Sequence, residues 1–70
     1  MLHPTSVKVL AFIREYFAQH HGSPSVREIA SELDVVVSTA RYHLGLLEGA
    51  GYISRVRRRA RTIVLRREYD

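Results

Sequence analysis

The sequence holds no cysteine in its seventy residues, which excludes disulfide staples and thiolate zinc sites. That absence fits a reducing compartment. No apolar run approaches the length of a membrane-crossing helix. The opening Met-Leu-His-Pro lacks the basic-then-apolar layout of a secretion signal, so a cytoplasmic location is expected and no membrane partner. Repeats, low-complexity tracts and linkers are also missing. Residues 1–70 therefore read as one domain, with Glu68-Tyr69-Asp70 as a frayed end. A chain this short has a thin core and little stability to spare.

What is present is an ordinary globular composition, 46% hydrophobic and 26% charged, with a marked excess of cations. Eleven Lys and Arg face seven Asp and Glu, for a net charge of +4. The excess is concentrated: Arg55, Arg57, Arg58, Arg59, Arg61, Arg66 and Arg67 all lie in the last third. A basic end on a compact domain points to a polyanion, with nucleic acid the first candidate and an acidic membrane surface the weaker one.

The hydrophobic period divides the chain. From Pro4 to about His20, Val9, Leu10, Phe12, Ile13, Tyr16 and Phe17 fall on one helical stripe, and Lys8, Arg14, Glu15 and Gln19 lie off it. Pro4 suits a first turn, and His21-Gly22-Ser23-Pro24 gives the usual Gly-then-Pro exit. A second helix is expected over Ser25 to Leu33. Ser25 would cap it with Glu28 reaching back in a capping box. Val26, Ile29, Ala30 and Leu33 form its stripe, and small Ala30 either lets another helix cross closely or simply packs in the core.

The stretch Asp34-Val35-Val36-Val37 looks at first like a strand but is too short to find a partner. Asp34 tolerates left-handed geometry at a sharp turn. Val35 would then plug the core between two helices. Ser38 is a natural N-cap for a third helix running to about Gly49. In that helix Ala40, Leu44 and Leu47 point inward, while Ser38, Arg41, Tyr42 and Gly45 point outward. Two helices at a steep angle, with the polar face of the second left free, make a helix-turn-helix. After Ala50-Gly51 the period changes. Tyr52–Val56 and Thr62–Arg66 read as strands around the basic tip Arg57-Arg58-Arg59-Ala60-Arg61. That tip has no Gly, Asn, Asp or Pro to name its turn type. The expected fold is mostly α with a small β-hairpin, a three-helix winged helix-turn-helix.

Over nearly the whole chain the residues resemble the N-terminal DNA-binding domain of the LexA repressor family. The stretch Leu10–Val35 is similar to that family's first two helices, with the Ile-Arg pair, the Gly-then-Pro loop and the Glu-Ile-Ala…Leu signature. Ala40 and His43-Leu44 match the recognition helix. Gly51, Ile53, Val56, Arg61, Ile63 and Leu65 match the hairpin. The resemblance implies repression by paired domains on a two-fold DNA site, with a weak homodimer formed there. The family's C-terminal Ser–Lys peptidase domain has no counterpart in these residues. The single lysine is Lys8, and Ala50-Gly51, although it matches the family's cleavable dipeptide, reads as a structural turn. The chain is one residue shorter going into the recognition helix. Ser38 stands at the family's Asn and Arg41-Tyr42 at its paired Glu, so a different set of bases should be read. The wing glycines become Arg58 and Thr62.

The expected interface follows. On the recognition helix, Arg41 can bond two acceptors of guanine, and Ser38 and Thr39 can reach bases or phosphates. Gly45 clears a side chain from where the duplex would come closest. Tyr42 would touch a phosphate or thymine methyl, or else pack against the wing. Arg55, Arg57, Arg58, Arg59 and Arg61 of the wing would meet phosphates or the minor groove, against the alternative of a solvated loop. Ser25 and Arg27 begin the second helix, where an anion is favoured, although capping alone explains Ser25. Adjacent His20 and His21 diverge, so no metal is expected, and His43 reads as a packed residue with one hydrogen bond. No cofactor, small-molecule ligand or enzymatic activity is expected. The alternatives to sequence-specific binding of double-stranded DNA are a protein–protein winged helix and a nonspecific DNA-coating domain.

Overall fold

The first apolar stripe forms α1 (Pro4–Gln19), the second α2 (Val26–Leu33) and the third α3 (Val37–Gly49) in the computed structural model, which describes residues 2–66. A two-stranded antiparallel hairpin follows, β1 (Ile53–Ser54) with β2 (Val64–Leu65), pairing Ile53 with Leu65 and Ser54 with Val64. Arg67 and the expected frayed end lie outside the described residues.

The three stripes meet as read. Val9, Leu10 and Ile13 of α1, Ile29 and Ala30 of α2, and Ala40, Leu44 and Leu47 of α3 are buried together. Ile53 and Ile63 of the hairpin close the core from one side. Phe12, Phe17, Val26, Leu33 and Val35 pack partly buried around it. Each fully buried Leu or Ile contributes roughly 1.5–3 kcal/mol relative to exposure, so these ten residues carry the fold. Among the described residues no helix is long and apolar enough to cross a membrane.

Both helices of the helix-turn-helix end in the same device. Asp34 is left-handed (φ 57°), its N–H donates to the Ser31 carbonyl at 3.3 Å, and the Val35 N–H donates to Ala30 at 3.0 Å. At the far end of α3, Gly51 is at φ 85°. There the Gly51 N–H reaches Glu48 and the Tyr52 N–H reaches Leu47, both at 3.0 Å. This is a Schellman closure twice over, with the following apolar residue, Val35 or Tyr52, laid against the core. The first closure explains the run of valines. Val35 fills the space between helices, and Val36 and Val37 are the step into α3, so no strand is formed.

Three expectations are corrected. The cap of α3 is Val36, not Ser38, and no side chain bonds there. An N-cap hydroxyl adds about 1 kcal/mol, less than packing Val35, Val37 and Ala40 at once, so the core sets the helix start and Ser38 falls exposed in its first turn. The exit of α1 is made by His20 in extended conformation (φ −133°, ψ 163°), and Gly22 has no left-handed backbone. The strands are two residues long instead of five. Side chains take over the outer hairpin. Thr62 Oγ1 accepts the Val56 N–H at 3.0 Å and lies 3.1 Å from both the Val56 and Arg59 carbonyls. The Ile63 N–H donates to Ser23 Oγ at 3.1 Å.

Among the described residues His43 is buried with a single side-chain hydrogen bond, as its position suggested. Its partner, 2.8 Å from Nδ1, is the hydroxyl of fully buried Ser6, 37 residues away. Burial pushes the His43 pKa down, and the neighbouring His3 ring, 4.9 Å off, adds to this.

Candidate nucleic-acid interface

The hairpin leans across the start of α2 and leaves a groove between them and α3. Its walls are Pro24 and Ser25 leading into α2, Val26 and Arg27 of its first turn, Arg41 from α3, and residues 55–63 of the wing. Seven arginines therefore surround one concavity: Arg27, Arg41, Arg55, Arg57, Arg58, Arg59 and Arg61. Three groups of candidates drawn from separate parts of the sequence come together here. Ser38, Thr39, Tyr42 and Gly45 do not line this groove. Ser38, Tyr42 and Gly45 are exposed on α3 and Thr39 is half-buried. Tyr42 is 62% exposed, and its ring lies edge-on to His43 at 5.2 Å. A Cβ at Gly45 would meet nothing within 4 Å, so inside the domain nothing requires glycine there.

The arginines fall into two sets. Two are tied down: Arg55 Nε pairs with Glu48 Oε1 at 3.2 Å, and Arg61 Nη1 pairs with Glu28 Oε1 at 2.9 Å. Arg61 Nη1 also lies 3.1 Å from the Tyr16 hydroxyl and 3.3 Å from the Ser23 carbonyl. The second set is the tip. Among the described residues Arg57, Arg58 and Arg59 make no ion pair and are exposed. Arg41 and Arg27 are exposed as well.

Ser25 forms the expected capping box. Its hydroxyl accepts the Glu28 N–H at 3.1 Å and its own N–H donates to Glu28 Oε1 at 2.8 Å. Those bonds, first the backbone N–H of Ser25 and then the Arg61 guanidinium, hold the Glu28 carboxyl below its ordinary pKa. The same Glu28 contact, helped by Tyr16, raises the pKa of Arg61. Ser25 thus has both polar groups committed to the cap, which leaves Arg27 as the cation at that end of α2.

The wing also carries unfavourable backbone. Arg58 (φ 65°) and Arg61 (φ 58°) are both left-handed, a region that costs a non-glycine residue about 1–2 kcal/mol. Arg58 stands where the resemblance puts a glycine, so a conformation suited to glycine here carries a cation. Arg61 is a different case, since no glycine signal marks its position. Sequence reasoning also missed Ser6, Ser23 and the acidic partners of Arg55 and Arg61. All four residues are visible in the sequence, but nothing local links Glu28 to a position 33 residues on.

Three helices, a tight helix-turn-helix and a basic hairpin leaning on the second helix define a winged helix-turn-helix domain. A model of the LexA DNA-binding domain family matches residues 2–62. The chain belongs to that family. It is 41% identical over 58 residues to the LexA repressor of Thermosipho melanesiensis, covering 83% of this chain and 29% of that protein. It is 40% identical over 57 residues to the LexA repressor of Thermosipho africanus, covering 81% and 29%. Against the LexA repressor of Thermotoga maritima it is 46% identical over 48 residues, covering 69% and 24%. The chain therefore spans less than a third of the length of these curated relatives.

Proposed function

We propose that this domain binds double-stranded DNA sequence-specifically and acts as a bacterial or phage transcriptional repressor, with α3 in the major groove and the wing on phosphates or the flanking minor groove. The observation that carries the reading is the convergence of Arg27, Arg41 and the wing arginines on one groove. A polyanion laid there neutralises charges that otherwise repel at the tip. Arg41 is the base reader, a single arginine on an ordered helix face, with Ser38, Thr39 and Tyr42 beside it and Gly45 leaving room for the duplex. Arg57, Arg58 and Arg59 are the phosphate contacts. Two copies pair on a two-fold site, and the free domain is a monomer or a weak dimer, because the apolar stripes of its helices are turned into its own core. The reading assigns no catalytic step, cofactor or small-molecule ligand.

The experiment is a set of titrations on preferred and scrambled duplexes at several salt concentrations. Arg41→Ala should cost about 1–3 kcal/mol on the preferred site and flatten discrimination at one base pair, with little change on the scrambled duplex. Arg58→Ala and Arg59→Ala should weaken both duplexes alike. Each should lower the slope of log affinity against log salt by about 0.9, the share of one phosphate no longer neutralised. If wild-type preference between duplexes vanishes at every salt concentration, the domain coats DNA without reading it. If no duplex binds, the basic groove serves an acidic protein partner.

A further inference from the structure

We propose that Arg61 is a positioning residue that docks the wing onto α2 before DNA arrives, and that it is not itself a phosphate contact. The inference rests on the DNA-binding reading above and assigns one arginine of that interface a different task from its neighbours.

The wing needs such a clamp. Its ladder is two residues per strand, and its tip holds three cations close together that push the loop away from the basic groove wall. Arg61 lies at the base of that loop. Its Nη1 faces Glu28 Oε1 (2.9 Å), the Tyr16 hydroxyl (3.1 Å) and the Ser23 carbonyl (3.3 Å). One nitrogen of the wing thus touches α1, the loop after it and α2. Two residues on, the Ile63 N–H donates to the buried Ser23 hydroxyl, so both contacts land on the same loop. Arg61 also holds a left-handed backbone (φ 58°) at this position, a conformation that costs a non-glycine residue about 1–2 kcal/mol.

Glu28 is the other half of the clamp. An acid lining the approach to a polyanion groove opposes binding by simple electrostatics. Here one oxygen accepts both the Ser25 N–H and Arg61. The carboxylate that caps α2 therefore also anchors the wing, and the start of α2 and the wing keep a fixed separation. Docking in advance spares the ordering cost that a loose loop must meet when it binds.

The pair is partly exposed, with side-chain accessibilities of 52% for Arg61 and 39% for Glu28, so its strength is that of a surface ion pair. A contact can shift a docked–undocked equilibrium only by its own strength. Loss of the clamp should therefore weaken DNA binding by roughly two- to fivefold.

The test uses Arg61→Gln, Glu28→Gln and the double variant. Glutamine at position 28 keeps an oxygen for the Ser25 N–H while removing the charge. In the free protein, hydrogen exchange at the Ile63 and Val56 amides should quicken in both single variants. On DNA, Arg61→Gln should lower affinity for every sequence with the salt slope unchanged. Glu28→Gln should also lower affinity, although it removes a negative charge, and the double variant should be no worse than Arg61→Gln. A slope reduced by about 0.9 in Arg61→Gln, together with tighter binding by Glu28→Gln, would make Arg61 a phosphate ligand and overturn the proposal. Unchanged exchange at Ile63 would overturn it too, because the clamp would then hold nothing. Since exchange is read without DNA, a failure of the DNA-binding reading, seen as a wild-type domain that binds no duplex, stays distinct from a failure of the clamp.

Discussion

In the helical half, Val9, Ile13, Ile29, Ala40, Leu44 and Leu47 meet with no exposed surface, whereas across the hairpin Ile53 and Ile63 are the buried apolar residues. The first region is held by close packing of side chains from three helices. The second is held by side chains bonding to backbone, Thr62 across the loop and Ser23 at its base, and by the Arg61–Glu28 pair. The difference follows from composition. A loop that must present Arg57, Arg58 and Arg59 to solvent has no apolar surface to bury, so its order has to come from polar contacts at its edges. Such contacts are individually weak. The core should therefore set global stability, and the wing should loosen and tighten within a domain that stays folded.

The largest expected effect tests the core. Ala30→Leu should cost roughly 1–3 kcal/mol, because a 4%-exposed alanine between α2 and α3 leaves no room for three more carbons. Thermal unfolding reads this, and an unchanged midpoint would mean the helices cross elsewhere.

A smaller effect tests the polar contact inside the same core. Burial lowers the His43 pKa below its ordinary 6.5. The folded state therefore disfavours protonation, and the unfolded chain binds the proton more readily. Stability from this source is fully present above about pH 6.5 and falls as pH drops through that value toward the lower folded pKa. Denaturant midpoints should decline from pH 7 to pH 5, and His43→Gln should flatten that decline even if its stability at pH 7 is lower. A flat wild-type profile would remove the proposed cost of charging His43.

The smallest effect tests the wing. Arg58→Gly relieves a left-handed backbone at an exposed tip, so the free domain should be unchanged or slightly more stable, by up to about 1 kcal/mol. DNA affinity should nonetheless fall as it does for Arg58→Ala. Stability and binding would then move in opposite directions at one residue, which no position in the core can show. If both fell together, Arg58 would hold the wing in place as Arg61 does.

Much of the fold is legible in the sequence, because it depends on neighbours along the chain. The capping box needs Ser25 and Glu28 three apart, and the left-handed turn needs an Asp after a helical stripe. The inward set Ala40, Leu44 and Leu47 needs only the helical period. The candidate interface is legible to the same degree, since clustered arginines and an outward helix face are visible as letters. The start of α3 is not, because local capping preference points to Ser38, while the burial of Val35 and Ala40 fixes the cap two residues earlier, at Val36. The strands are overestimated because β-favouring residues continue past the point where Thr62 and Ser23 replace the ladder.

The order of three helices and a hairpin, the faces they bury and the basic character of the wing were thus determined by the sequence alone, through periodicity, caps and charge. Only the tertiary structure decided that Ser6 meets His43, that Ser23 receives the Ile63 amide, and that Arg61 rather than its neighbours is bound to Glu28. These contacts join residues 33 to 40 positions apart. A hydrogen bond forms or fails over a few tenths of an ångström, so its partners are settled only once the packed core has brought distant segments into register.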